Sequence, residues 1–538
     1  MFILQYVSFP LQNFVEILIP PNLAFECSIP EGVSLQMKAY FYENTSAVMI
    51  QFHTLMDKLT LWSSDSNVEN ATGYHGGILQ YATMSQSGAP WYLASSVNHT
   101  VNAIIMVTFF TQNDPVPGAC NQEFTPENEP RIHFNATPSS DLAVVEFANA
   151  NVGEGKGQFP PACDDATAKT SYLQYDVFIY YMPAKDYYVE TMNNALLKMM
   201  TPESIKKNGL KIKSLKGFEP KAVFMALFKN RGIVYNVVVY DTLQNISSAY
   251  IPFVNYACDS KVNTTVCTYM DMGPTLVYTF SGLVGVILCF LGHWTFMYEM
   301  FMFGFLPTVV GFYMIFAANT AMLSYAIMTA SVTLGLFGGA VLTSFWWRFG
   351  KVTPVVLWIS LVLGFHVASV LFFTPFGYLN VWQSTASFGL AFASVILIVP
   401  IFGLLFPKWI SIIASSVVGS YMMIATLSFF IGGIMQYIIQ NIVHRASADH
   451  FDNAVYVLPG SPLDYILGAL WCILAAGGVA CQKFLTRKEP NFPECPYHSF
   501  IEKRKAIRLG YQESPQNVLV SGTVNLLDSD QSPLVGDL

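Results

Sequence analysis

The sequence predicts an α+β membrane protein: a β-rich N-terminal ectodomain of two β-sandwich-like units, followed by a seven-helix transmembrane bundle. Three observations carry this expectation. Between Thr275 and Gln482, apolar runs of about 20 residues follow one another almost without charge, each long enough to cross a hydrocarbon core of about 30 Å as a helix. All six N-x-S/T sequons precede the first run, at Asn44, Asn70, Asn98, Asn135, Asn245 and Asn263. Such acceptors are modified only where the chain enters the secretory lumen. The third observation is period-2 alternation of apolar residues before the runs begin. The expected division is 1–155 and 156–273 for the two β-rich units, 274–483 for the bundle and 484–538 for a disordered cytosolic tail.

The chain has 538 residues, 53% of them hydrophobic, and a net charge of −8. Residues 1–273 carry 24 acidic against 16 basic residues, and the tail after Gln482 carries seven of each. No basic patch with interleaved aromatics points to nucleic acid. Residues Met1 to Pro21 are apolar, with no Lys or Arg before Lys38. A secretory signal has a basic start and a small-residue cleavage site. The segment fits poorly, and the expectation is a chain that begins inside the mature protein.

In the ectodomain, Val48, Ile50 and Phe52 alternate with Met49, Gln51 and His53. Leu173 to Tyr181 and Ile233 to Val239 repeat the pattern, as strands with one buried face do. Gly, Pro and Asn clusters such as 113–118 and 153–157 separate them as turns and linkers. Val189, Met192, Leu196 and Met199 recur at helical spacing, which predicts a helix within 187–200. The membrane helices are expected at about 275–292, 298–317, 322–346, 352–373, 385–406, 410–435 and 463–482. With a lumenal ectodomain, cytosolic loops then hold Arg348, Lys351 and Lys408, the tail opens on Lys483, Arg487 and Lys488, and only Arg445 is left on the lumenal loops. Charge bias and sequons give the same orientation.

Nine cysteines divide by compartment. Lumenal ones tend to pair, and separation and turn content favour Cys120–Cys163 and Cys258–Cys267. That leaves Cys27 over. No C-x-x-C occurs, so no zinc or redox motif is expected, and no metal or cofactor. Within the bundle, Gly335 and Gly339, Gly364 and Ala368, and Ser415 and Gly419 let helix backbones approach closely. They predict intramolecular packing, with a homodimer seam as the alternative. His293, Glu299 and His366 are the ionisable candidates at depth. A local ion pair accounts for the first two, and a single hydrogen-bond partner for His366. His444, Asp449, His450 and Asp452 lack zinc-ligand spacing and read as a solvated loop. No GxSxG, P-loop or GxGxxG is present. In the tail, Tyr497-His-Ser-Phe500 and the acidic-to-leucine run at 530–535 have the form of sorting signals.

Several stretches in order resemble the transmembrane 7 superfamily member 3 family. They include Asn113-Asp-Pro-Val-Pro-Gly-Ala-Cys-Asn121, Pro160-Pro-Ala-Cys163, Ser248-Ala-Tyr-Ile-Pro252, Trp346-Trp-Arg-Phe-Gly350 and Phe372-Phe-Thr-Pro375. The resemblance covers about residues 40–500 and departs at both ends. It implies a seven-helix glycoprotein of cell and internal membranes that promotes survival by attenuating endoplasmic-reticulum stress and the unfolded protein response. It implies no catalytic residues.

The leading expectation is therefore a non-enzymatic protein of the secretory or endolysosomal system or the plasma membrane. Its ectodomain binds a lumenal or extracellular protein or ligand, and the lipid bilayer surrounds its bundle. A seven-transmembrane receptor is the alternative, though Trp346-Trp-Arg-Phe replaces D/E-R-Y and N-P-x-x-Y is missing. A transporter or channel would need polar groups at midplane or broken helices; only Pro307 and Pro354 hint at distortion.

Overall fold

A computed structural model of the chain describes residues 7–508, other than 9–13, 19–21, 39–43, 56, 65–68, 83–89, 122, 126–127, 138–141, 153–171, 218, 220, 229–230, 257–271, 321–322 and 449–453. The first unit is a sandwich of two sheets. One orders Val7–Ser8, Phe14–Leu18, Ser34–Lys38, Trp91–Ser95, Leu59–Ser63 and Ala71–Gly73; the other orders Phe25–Ile29, Val101–Thr111, Thr45–His53 and His75–Tyr81. Leu35, Phe52, Leu61, Trp91, Leu93 and Ile105 interdigitate between them. Buried Trp91 donates its Nε1–H to Gln80 Oε1 at 2.8 Å, so its polar end is satisfied inside the core. The expected one-sided strand at 48–53 is buried on both faces. Its second face, with Ala47 and Met49, meets Val116 and Ile251 of the next unit.

That next unit begins earlier than the expected division at 155/156. Strands Ile132–Thr137 and Leu142–Phe147 pair in one sheet with Ala222–Ala226. The opposite sheet holds Leu210–Lys216, Leu173–Ala184, Arg231–Asp241, Ile246–Ala249 and Phe253–Asn255. The break between units therefore falls between Thr111 and Val116. Pro117 and Gly118 looked like linker material but form a buried strand, Val116–Cys120. A methyl at Gly118, whose φ is +68°, would stand 1.9 Å from the Glu129 carbonyl oxygen. The helical spacing at 187–200 becomes helix Val189–Leu197, burying Met192, Ala195 and Leu196. A second helix, Pro202–Asn208, is started by a reciprocal Thr201–Ser204 capping box. These helices share an apolar cluster with Ile104 and Met106 of the first unit, which fastens the two units together.

Among the described residues, seven helices are long and apolar enough to cross a membrane: Met272–Leu291, Phe296–Asn319, Ser324–Phe349, Val352–Phe373, Thr385–Leu405, Pro407–Ile431 and Pro462–Leu485. The sixth is the most buried, and packs against the first, fourth and seventh. Pro354 sits in the first turn of the fourth helix, where its missing N–H costs nothing; Pro307 and Pro400 lie inside helices. The small residues are used within the chain. A methyl on Gly419 would come 2.4 Å from the Cys289 nitrogen of the first helix; Gly335 meets Val309 and Phe305, Gly339 meets Phe301, and Gly364 meets the Ile396 backbone. Those faces are filled, so they do not supply the homodimer seam.

Two elements depart from expectation. The sixth connection contains helix Tyr437–Ser447, whose Arg445 stacks on Phe388 and donates to the Trp382 carbonyl. The tail, expected to be disordered from 484, continues as the seventh helix to Leu485 and forms helix Pro496–Arg508.

A docked β-sheet region and a buried polar cluster

The second β unit is joined to the bundle by backbone as well as side chains. Val455, just before the seventh helix, donates its N–H to Phe224 O at 2.8 Å, and Ala226 N–H donates to Val455 O at 3.3 Å. The connection thus adds itself beside strand Ala222–Ala226. Tyr181 donates its hydroxyl to Val457 O at 2.7 Å, and Arg231 reaches Pro459 O at 3.4 Å. Lys185 Nζ donates to the carbonyls of Phe429 and Phe430 at 3.2 and 2.6 Å, where the sixth helix ends in unpaired acceptors and the negative end of its dipole. Burial lowers the Lys185 pKa. Phe228 fills the seam edge-on to Tyr437 and Tyr456, in one cluster with Phe373 and Tyr421. The seam is not legible in the sequence, because its contacts join residues well over 100 positions apart.

At the opposite end of the bundle lies a buried polar cluster. His293 and Glu299 come together as expected, with His293 Nδ1 3.7 Å from Glu299 Oε2. They are not at an open interface, however: Glu299 is 0% exposed. Ser411 of the sixth helix stands between them, donating to Glu299 Oε1 at 2.7 Å and lying 2.8 Å from His293 Nδ1. His293 Nε2 faces the Asn491 carbonyl at 3.1 Å. A carbonyl only accepts, so Nε2 carries a proton. Ser411 can donate to either neighbour. A neutral imidazole beside a protonated Glu299 and an imidazolium beside a carboxylate make the same hydrogen bonds, so His293, Ser411 and Glu299 form one connected polar chain.

Gln482, also 0% exposed, ties the cluster to the seventh helix. Its Oε1 accepts from His293 N at 2.8 Å, and its Nε2 donates to Cys289 O at 2.8 Å and stands 3.0 and 3.1 Å from the hydroxyls of Ser415 and Ser416. The tail closes over these groups. Phe492 packs on His293 and Phe296, Lys408 donates to Thr486 O at 3.0 Å, and Arg348 lies 3.9 Å above the Tyr497 ring. The bundle interior expected from Phe, Leu, Val and Gly is instead threaded by fully buried serines of the sixth helix: Ser411, Ser415, Ser416, Ser420 and Ser428. Hydroxyls that bond back to their own helix, as Ser415 does to Ser411 O, let a polar residue face a packed neighbour.

His366 stands apart from this cluster. It is held edge-on between Tyr421 and Trp471, with ring centroids 4.5 and 5.6 Å away, and its Nε2 has no hydrogen-bond partner among the described residues. Aromatic packing replaces the expected partner. Of the sequons, Asn44, Asn70, Asn98, Asn135 and Asn245 are exposed, and Asn263 lies outside the described residues. Cys120 is disulfide-bonded, Cys27 is buried and free, and Cys163, Cys258 and Cys267 lie outside the described residues. Asp449, His450 and Asp452 also lie outside them. Between the two β units, a cavity of about 190 Å3 is lined by His75, Arg131, His133, Phe134 and Phe253. Fully buried Glu129 holds Arg131 there through two bonds, at 2.6 and 2.5 Å.

The architecture defines a multi-pass membrane protein with two β-sandwich units packed in series, the second seated on the end of a seven-helix bundle. Residues 6–110 match the TM7SF3-like N-terminal immunoglobulin-like domain, 115–261 the TM7SF3-like second immunoglobulin-like domain, and 278–483 the TM7S3/TM198-like domain. Transmembrane 7 superfamily member 3 from Homo sapiens and from Mus musculus are each 30% identical over 467 residues, spanning 86% of this chain and 82% of theirs. The chain belongs to the transmembrane 7 superfamily member 3 family. Among solved structures, β-glucuronidases of Bacteroides uniformis and Parabacteroides merdae align at 8% identity and TM-score 0.18 over 49% of this chain and 32% and 34% of theirs. A likeness of that size carries no argument.

Proposed function

We propose that this chain is a non-enzymatic membrane glycoprotein. Its immunoglobulin-like units bind a lumenal or extracellular partner, and its role is to attenuate endoplasmic-reticulum stress and the unfolded protein response. The stress role rests on the family resemblance. The observation that carries the binding mechanism is the seam. Backbone pairing at Val455 and the Phe228 plug join the second unit to the connection that follows the sixth helix, and the Lys185 cap joins it to the end of that helix, which also contributes Ser411 to the far cluster. A partner gripping the β units thereby acts directly on the element at the centre of the bundle. Orientation is supported by five exposed sequons at one end and by Arg348, Lys408 and the tail at the other. The transporter reading draws on the polar cluster, but the tail covers that cluster and His366 is not part of it.

The test compares full chain, a chain lacking 7–255, and Glu299→Gln plus His366→Leu variants in cells without the native protein, at matched membrane levels. An unfolded-protein-response reporter is read after a glycosylation inhibitor. The expected result is lost attenuation on deletion and retained attenuation in the point variants. The reverse pattern would make transport the leading reading.

A further inference from the structure

Exposed aromatics stand in the middle of the bundle, at Phe280, Phe337 and Trp358, and also mark its two ends. Trp294, Trp347 and Trp409 lie at the tail end; Tyr325 and Tyr465, in the first turns of the third and seventh helices, lie at the β-sheet end. Rings of this kind sit at headgroup depth, with apolar bodies toward the acyl chains and polar tips in water. The second immunoglobulin-like unit brings one more aromatic to the same level. Lys185 is fixed to the last carbonyls of the sixth helix, and a methyl on Gly432 would stand 2.7 Å from Ala184 Cβ. Tyr188 follows three residues later, within about 10 Å along an extended chain. Asp186 holds the intervening turn, accepting from Tyr188 N at 3.2 Å and Thr191 Oγ1 at 2.9 Å. Tyr187 turns inward onto Tyr256, leaving Tyr188 77% exposed beside half-exposed Val189.

We propose that the 185–189 turn is a membrane-contact surface, with Tyr188 and Val189 seated in the headgroup region of the leaflet on the β-sheet side. The occupant is phospholipid, because the turn is continuous with the lipid-facing end of the sixth helix, where Phe430 and Ile431 are exposed. The contact gives the β units a second anchor beside the seam, so their tilt answers to the leaflet as well as to the bundle. It holds whether or not the stress role does.

The test places a photoreactive residue by amber suppression in the full-length chain, reconstituted in phosphatidylcholine–phosphatidylserine nanodiscs. Tyr188→benzoylphenylalanine is compared with Phe280→benzoylphenylalanine, on the exposed face of the first helix, and with Leu243→benzoylphenylalanine. Leu243 is 70% exposed at the other end of strand Arg231–Asp241, about 33 Å from the seam at 3.3 Å per residue. After illumination, peptide mass spectrometry is expected to find phospholipid adducts at 188 and 280 and none at 243. Adducts at 280 with none at 188, or equal yields at 188 and 243, would overturn the proposal. Gel filtration of each variant confirms that the chain under test is folded.

Discussion

Gln482 closes the apolar stretch in the sequence and attracts no notice there, yet it has more partners than either ionisable residue of the cluster it joins. Replacing it by Leu leaves the His293 N–H without its acceptor and removes the donor to the Cys289 carbonyl in a fully buried site. Each buried unsatisfied group costs about 1–3 kcal/mol. Gln482→Leu should therefore lower the thermal midpoint of the protein in nanodiscs clearly more than Thr329→Val, whose hydroxyl is exposed and bonds only to its own helix. Equal midpoints would mean that water reaches the cluster. In the first β unit, His53 and His75 face each other through Nδ1 atoms 3.2 Å apart. Burial lowers the His75 pKa to about 4, and burial followed by the His75 charge holds His53 well below 6.5. The unfolded chain thus takes up protons that the fold refuses. The stability contributed by these neutral rings is complete above about pH 6.5 and is lost as pH falls toward 4. Their facing groups, Gln51 on His53 and Arg131 and His133 across the cavity, add no carboxylate to relieve this. Hydrogen-exchange protection of Thr45–His53 should fall between pH 7 and pH 5, and His53→Gln should flatten the change. Protection unaltered over that range would refute it. His293, Glu299 and His366 were legible as residues because polar groups are conspicuous in apolar runs; Ser411 and Gln482 were not, because uncharged side chains in a membrane helix are common.

At the scale of the element, the seven helices were readable because each is apolar on every side for about 20 residues, a pattern that only a membrane accommodates. Helix Tyr437–Ser447 was not. Its Gln440, Asn441, His444 and Arg445 mark it as loop by composition, and it is helical because one face packs into the seam. The contact between the first and sixth helices supplies a sharp test. Gly419→Val adds a Cβ that would stand 2.4 Å from the Cys289 nitrogen and two methyls beyond it, and overpacking of this kind costs about 1–3 kcal/mol or more. Gly389→Ala in the fifth helix meets nothing within 4 Å. The first change should lower the yield of monodisperse protein and its thermal midpoint, and the second should leave both unchanged. If Gly419→Val is silent, the first and sixth helices do not pack as described. The tail helix was missed for a related reason: Trp347 and Arg348, which pair with Tyr497, lie about 150 residues away in sequence.

For the whole molecule, orientation and modification are tested together. With five exposed sequons at the β-sheet end, glycan removal should shift the mass of the membrane-extracted chain, and Asn→Gln changes at 44, 70, 98, 135 and 245 should remove most of that shift. An epitope placed after Arg508 should be reachable only after permeabilisation. A tail accessible on intact cells would invert the topology. The sequence by itself determined the two-part architecture, the number of spanning helices and the end of the bundle that bears the basic residues. These follow from local composition: hydropathy, alternation and charge bias are properties of short windows, and the bilayer acts on each window in turn. Only the tertiary structure decided where the first β unit ends, that the second is seated on the end of the sixth helix, and that the tail covers the buried trio of His293, Ser411 and Glu299. Those arrangements depend on which surfaces meet after distant segments fold. Strand Ile132–Thr137 belongs to the second unit through Leu142–Phe147, which pairs with Ala222–Ala226, and Val455 joins the sheet because the bundle delivers it there.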